Sequence, residues 1–94
     1  MPSPKGSVWR VSFSPAAEKA LGKLGRTAQV DILRYLKTRI AVSEDPRRFG
    51  KALTGGLAGL WRYRVQDYRI ICQIKDAEIT VLVLNIGNRR DIYK

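Results

Sequence analysis

Three arginines lie where a β-hairpin would gather them. Arg62 and Arg64 precede the dipeptide Gln66-Asp67, and Arg69 follows it. A two-residue turn at Gln66-Asp67, or a four-residue loop on the same centre, sets Arg64 directly opposite Arg69. Arg62 then falls two residues along the same face, because strand side chains alternate. Like charges facing one another across a ladder are destabilising, so such a cluster points to an anionic ligand. Further cations flank it. Arg47, Arg48 and Lys51 lie upstream, while Arg89 and Arg90 follow Gly87-Asn88, a turn able to present either one.

What is missing narrows the chemistry. There is no histidine and a single cysteine, so neither a histidine acid–base pair nor a zinc site of the usual kind is available, and no internal disulfide can form. No metal and no cofactor are expected. Gly55, Gly56 and Gly59 are not a phosphate-cradling loop, because no helix follows them. Eighteen Lys and Arg against eight Asp and Glu leave a formal charge of +10. A field of that sign draws polyanions, with nucleic acid or a ribonucleoprotein as the default partner and a merely solvated basic surface as the alternative.

The elements that must position these residues follow from periodicity. Val8-Trp9-Arg10-Val11-Ser12-Phe13 alternates as a half-buried strand, with Trp9, Val11 and Phe13 on one face. Ser14-Pro15 places an N-cap before a first-turn proline. Ala17, Ala20, Leu21 and Leu24 form a helical stripe that Gly25 stops. Thr27 can cap a second helix, which turns Val30, Ile32, Leu33, Leu36 and Ile40 inward. Asp45-Pro46 ends that region, and Arg47 to Gly59 reads as a loop. Leu60 to Val65, Tyr68 to Lys75 and Ile79 to Ile86 are then three strands.

The expected architecture is α+β: an N-terminal strand, a two-helix hairpin and a three-strand antiparallel meander, with the helices on one face of the sheet. A turn at Asp76-Ala77 pairs Ile74 with Ile79, Cys72 with Val81 and Ile70 with Val83. Those six, with Tyr63 and Val65, make the inner face, and burying them drives the arginines onto the other. Trp61 and Tyr63 interleave with the arginines as a base-stacking surface would, but alternation assigns them to the core, as it does Cys72. Ninety-four residues, 45% of them hydrophobic, suit one packed domain spanning 1–94. No apolar run approaches the roughly 18 residues of a membrane helix. No signal-peptide core follows Met1-Pro2-Ser3-Pro4, so a cytosolic protein with no membrane partner is expected.

Three stretches resemble the RelE/ParE superfamily of bacterial toxins. Lys51-Ala52-Leu53-Thr54-Gly55 through Gly59-Leu60-Trp61-Arg62-Tyr63-Arg64-Val65 is similar to the family's "K-L-x-G … G-L-x-R-x-R" segment. Asp67-Tyr68-Arg69-Ile70-Ile71 is similar to its "D-Y-R" strand. Gly87-Asn88-Arg89-Arg90-Asp91-Ile92-Tyr93 resembles its closing "G-x-R … Y" segment. With the helical hairpin, the likeness covers essentially the whole chain.

The resemblance implies a small α+β fold and the toxin half of a type II toxin–antitoxin pair. It also implies a ribosome-dependent endoribonuclease that cuts mRNA in the ribosomal A site, without a metal, through attack of the RNA 2′-hydroxyl on the adjacent phosphate. The implied partners are a cognate antitoxin, the ribosome and mRNA. By position, Arg62 and Arg64 stand where the RelE pattern has lysines. Arg69 matches a phosphate-binding arginine, Arg89 one that assists the leaving group, and Tyr93 a base-stacking tyrosine. Arginine holds its proton more firmly than lysine, so Arg62 and Arg64 are poor general bases.

For each residue a plainer reading stands beside the family's. Arg64 and Arg69 are otherwise solvated strand residues or antitoxin contacts, and Arg62 a dock for ribosomal RNA. Arg47, Arg48 and Lys51 hold ribosomal or messenger phosphates, or sit on a solvated loop. The family register favours Arg89 over Arg90, and Tyr93 is otherwise a packed tail residue. Two other functions fit the same features: a ParE-like inhibitor of DNA gyrase, and a non-catalytic RNA- or ribosome-binding module.

Overall fold

Ser14 caps the first helix as its position before Pro15 requires. Its backbone is extended and its Oγ accepts the Ala17 amide at 3.0 Å. In the computed structural model, which describes residues 8–88, strand β1 (Arg10–Phe13) leads into helix α1 (Pro15–Gly22). Helix α2 (Arg26–Tyr35) follows and continues into a π-helical turn, Leu36–Ile40. Gln29 joins the two helices, because its side-chain amide donates to the carbonyls of Leu21 and Leu24 at 2.9 and 3.0 Å. Leu21 already accepts the Leu24 amide at 3.1 Å, so Gln29 adds a second bond there and serves the Leu24 carbonyl just past the end of α1.

The rest of the chain is sheet. Strands β2 (Lys51–Ala52), β3 (Trp61–Val65), β4 (Tyr68–Lys75) and β5 (Thr80–Asn88) join β1 in the order β1-β5-β4-β3-β2. β1 runs parallel to β5, and every other neighbour is antiparallel. Tyr63, Val65, Ile70, Cys72, Val81, Val83 and Ile86 face the helices and bury against Ala17, Ile32, Leu36 and Ile40. One face is therefore the core, while the opposite face carries mostly polar side chains around a buried Ile71.

Four expectations need correction. Thr27 does not cap α2; Gly25 does, with no side-chain bond, and the helix begins at Arg26. Val30 and Leu33 are exposed, so the inward stripe of α2 is narrower than the apolar pattern suggested. Residues 47–59 are not all loop, for β2 lies among them. The turn after β4 is longer than two residues: Asp76–Glu78 is a 3-10 turn and Ile79 follows in the left-handed region at φ 48°.

That longer turn slides β5 by two residues. Ile74 pairs with Val81 and Cys72 with Val83, and Ile79 is half exposed rather than inside. A slip of two keeps each side chain on its face, so Val81 and Val83 are still buried. A second irregularity follows, because Cys72 pairs with Val83 while Ile71 pairs with Asn85. Leu84 is thus a bulge, and its carbonyl accepts the Ser14 hydroxyl at 3.0 Å.

Candidate functional site

The β3–β4 hairpin turns through Gln66-Asp67, with Val65 paired to Tyr68 and Arg64 to Arg69. Gln66 adopts φ 55°, a conformation unfavourable for a residue with a side chain. Its side-chain amide donates to Asp31 of α2, which ties the turn to the helix layer. The hairpin that presents the arginines is therefore fixed at its tip.

Across the polar face, register builds two rows. Lys51 pairs with Arg62, Arg62 with Ile71 and Ile71 with Asn85; the neighbouring row is Arg64, Arg69 and Gly87. Directly paired residues point their side chains to the same side, so Lys51, Arg62, Arg64 and Arg69 form one cationic group. Lys51 and Arg64 are exposed, while Arg62 and Arg69 are partly buried. Arg62 Nε is buried with no hydrogen-bond partner, a costly state for a charged donor. The ion pairs among the described residues involve Arg34, Arg47 and Lys75, and none reaches Lys51, Arg62 or Arg64. Cations placed side by side in this way suit an anionic ligand.

Arg47 is placed differently. It lies in a 3-10 turn, Pro46–Phe49, and its guanidinium makes a forked bond to Asp76 while also meeting Asp45 at 3.4 Å. Its Cζ stands 5.8 Å from the centre of the Trp61 ring, within cation–π reach. The bond to Arg47 holds the Asp76 carboxyl below its usual range, and the same bond raises the guanidinium. A lowered carboxylate stabilises the fold above its unfolded pKa, and that contribution disappears as pH falls through the folded value. Asp76→Asn should therefore lower the urea midpoint slightly at neutral pH. It should leave the midpoint unchanged in acid well below the carboxylate range, where wild type has lost the same bridge.

A second surface lies at the other side of the molecule. Pairing to β5 through Arg10 and Ser14 leaves the Val11 and Phe13 amides on the open edge of β1, since alternate residues of a parallel strand face opposite ways. Beside that edge runs a groove of about 720 Å³ lined by Val8, Val11, Phe13, Leu33 and Ile79, with Arg10 and Lys37 among the polar residues around it. Cys72 is buried, and burial pushes its thiol up, so it is an inert core residue. Among the described residues, no three His, Cys, Asp or Glu gather as a metal would need. No helix there is long and apolar enough to cross a membrane.

The family model described as ParE toxin of the type II toxin–antitoxin system parDE matches residues 11–93. A curated relative, toxin RelG of Mycobacterium tuberculosis, is 31% identical over 92% of this chain and 97% of its own. The chain belongs to the RelE/ParE toxin superfamily. It is a RelE-like toxin of a type II toxin–antitoxin system. The crystallised complex RelBE2 of M. tuberculosis contains a chain that superposes with a TM-score of 0.80 at 27% identity, covering 94% of this toxin and 98% of that chain. A chain of the archaeal RelE–RelB complex from Pyrococcus horikoshii gives 0.67 at 25% identity, covering 88% and 97%.

The toxin's fold brings together four of the residues singled out by sequence: Lys51, Arg62, Arg64 and Arg69. Arg47 stands apart, held by Asp76, and Arg48 is exposed on the same 3-10 turn. Arg89, Arg90 and Tyr93 lie outside the described residues. Sequence reasoning missed that Lys51 pairs with Arg62, since two residues carry no periodicity. It also missed Asn85 and Gly87 on the arginine face of the toxin, which the bulge at Leu84 puts there.

Proposed function

We propose that this toxin is a metal-independent, ribosome-dependent endoribonuclease that cuts mRNA in the A site and stops translation. The observation that carries the reading is the direct pairing of Arg64 with Arg69 beside Arg62 and Lys51. Cleavage by the RNA's own 2′-hydroxyl forms an O2′–P bond, breaks the P–O5′ bond, and builds negative charge on a crowded phosphorus. Fixed cations aimed at that charge lower the barrier. The ribosome supplies part of the alignment, which lowers it further. Arg69 and Arg64 hold the phosphate, Arg62 supports them, and Arg48 and Arg47 contribute to docking. Arg89, Arg90 and Tyr93 would act from the segment after Asn88, as the family likeness implies.

A cognate antitoxin is the proposed second partner, in keeping with the relatives solved as toxin–antitoxin complexes. Its docking surface would be the apolar groove and open β1 edge. An amphipathic segment with acidic flanks suits that surface, because Arg10 and Lys37 line the groove and the body carries +10. A second copy of the toxin would set those cations against each other.

One observation favours another reading. The matching family model is that of ParE, which fits a gyrase inhibitor on the same scaffold. Induced expression separates the two. Pulse labelling should show protein synthesis stopping before DNA replication, with transcripts cut inside codons to leave 2′,3′-cyclic phosphate ends, and cleavage should persist in EDTA when ribosome integrity is controlled. Replication arrest with DNA breaks while translation continues would establish the gyrase reading. Ends bearing a 3′-hydroxyl would overturn the chemistry.

A further inference from the structure

We propose that Lys51 is the proton donor to the leaving 5′-oxygen in RNA cleavage by this toxin, an inference that rests on the ribonuclease reading above. β2 is two residues long, and Lys51 is the one that pairs with Arg62. Several contacts hold so short a strand in place. The buried Tyr63 hydroxyl donates to the Pro46 carbonyl at 2.7 Å. A side chain on Gly50 would meet the Arg62 carbonyl and the Tyr63 ring at 3.0 Å, so any larger residue would force those neighbours to give way by a few tenths of an ångström. Arg47 clamps the same segment to Asp76 and lies over Trp61. Leu53 donates to Leu60 at 2.9 Å and continues the pairing past β2. These contacts deliver an amine to the margin of the arginine cluster, where it has no ion-pair partner among the described residues.

The chemistry favours the lysine over its neighbours. The 5′-oxygen leaves as a strongly basic alkoxide unless it gains a proton as the P–O5′ bond breaks. By its chemistry an ammonium gives up a proton far more readily than a guanidinium, whose delocalised charge holds the proton more firmly. Lys75 lies on the same face but reaches Glu78 at 4.0 Å, four residues from Ile71 along the strand. The balance is complete with water alone: the 2′-hydroxyl proton passes to solvent, the Lys51 ammonium protonates the 5′-oxygen, and the resulting amine is reprotonated from solvent. The arginines stay charged throughout and stabilise the phosphorane.

The test uses the whole toxin on programmed ribosomes, with two messages that differ in one atom. One carries an ordinary 5′-oxygen at the mapped cut, the other a bridging 5′-sulfur, which leaves as a thiolate without protonation. Lys51→Ala should slow single-turnover cleavage of the oxygen message by roughly a hundred- to ten-thousandfold and of the sulfur message by less than about tenfold. Lys51→Arg, which keeps the charge, should bind normally yet remain slow on oxygen. Arg69→Ala should slow both messages. Equal loss on both messages in Lys51→Ala would make Lys51 a phosphate-binding charge and overturn the proposal, as would no loss on either. If wild type cuts neither message, the ribonuclease reading itself fails; if wild type cuts and the variants behave alike on both, only the role of Lys51 fails.

Discussion

Arg64→Ala and Arg69→Ala should each slow single-turnover cleavage of ribosome-bound message by about a hundred- to a thousandfold, or about 3–4 kcal/mol of transition-state stabilisation. Ribosome affinity should change little. The contrast is the point, because a cation aimed at charge that develops on phosphorus acts in the transition state, whereas a docking cation acts equally before it. Arg64 and Arg69 are paired directly across the hairpin, so removing either relieves repulsion in the free toxin. Arg64→Ala should accordingly fold at least as well as wild type, and urea unfolding of both variants separates a loss of rate from a loss of fold. Rates within twofold of wild type on saturated ribosomes would remove these two residues from the site. Equal losses in affinity and rate would make them docking residues only.

Tyr63→Ala should have the largest effect on the fold. Its ring is fully buried among Tyr35 and the sheet core, and truncating a buried aromatic costs about 3–5 kcal/mol. Its hydroxyl also supplies the bond to Pro46, so the segment leading into β2 loses its anchor. For a small domain with a stability of about 5–15 kcal/mol, such a loss brings unfolding close to working conditions. Tyr63→Phe keeps the ring and should cost only about 1 kcal/mol, the net worth of one hydrogen bond. Urea unfolding of the two variants distinguishes ring from hydroxyl. A midpoint for Tyr63→Ala within the error of wild type would mean that this end of the sheet is not part of the cooperative core.

How far the chain could be read depended on which constraint acted locally. Arg64 opposite Arg69 was legible because a short hairpin with alternating strands admits few registers. The helix layer was legible through Ser14-Pro15 and the spacing of Ile32, Leu36 and Ile40. The β4–β5 register was not, because the turn depends on Ile79 at a left-handed φ, a place where glycine or asparagine would have announced itself. Val30 and Leu33 misled for another reason: they are apolar at helical spacing yet exposed on the outside of α2, Leu33 as part of the groove wall. Arg47 read as one more loop cation, and only the folded chain brings Asp76 to it across 29 positions of sequence.

A change of one residue in the length of a strand ordinarily turns everything beyond it inside out. β5 carries such a change already. Leu84 is surplus to the pairing with β4, and without it Val83 and Ile86 would still face inward and Asn85 outward, in unbroken alternation. Yet the surplus residue is where Ser14 fastens the start of α1. The surplus residue of one layer is the strut to the other, so in this strand length carries information that composition does not.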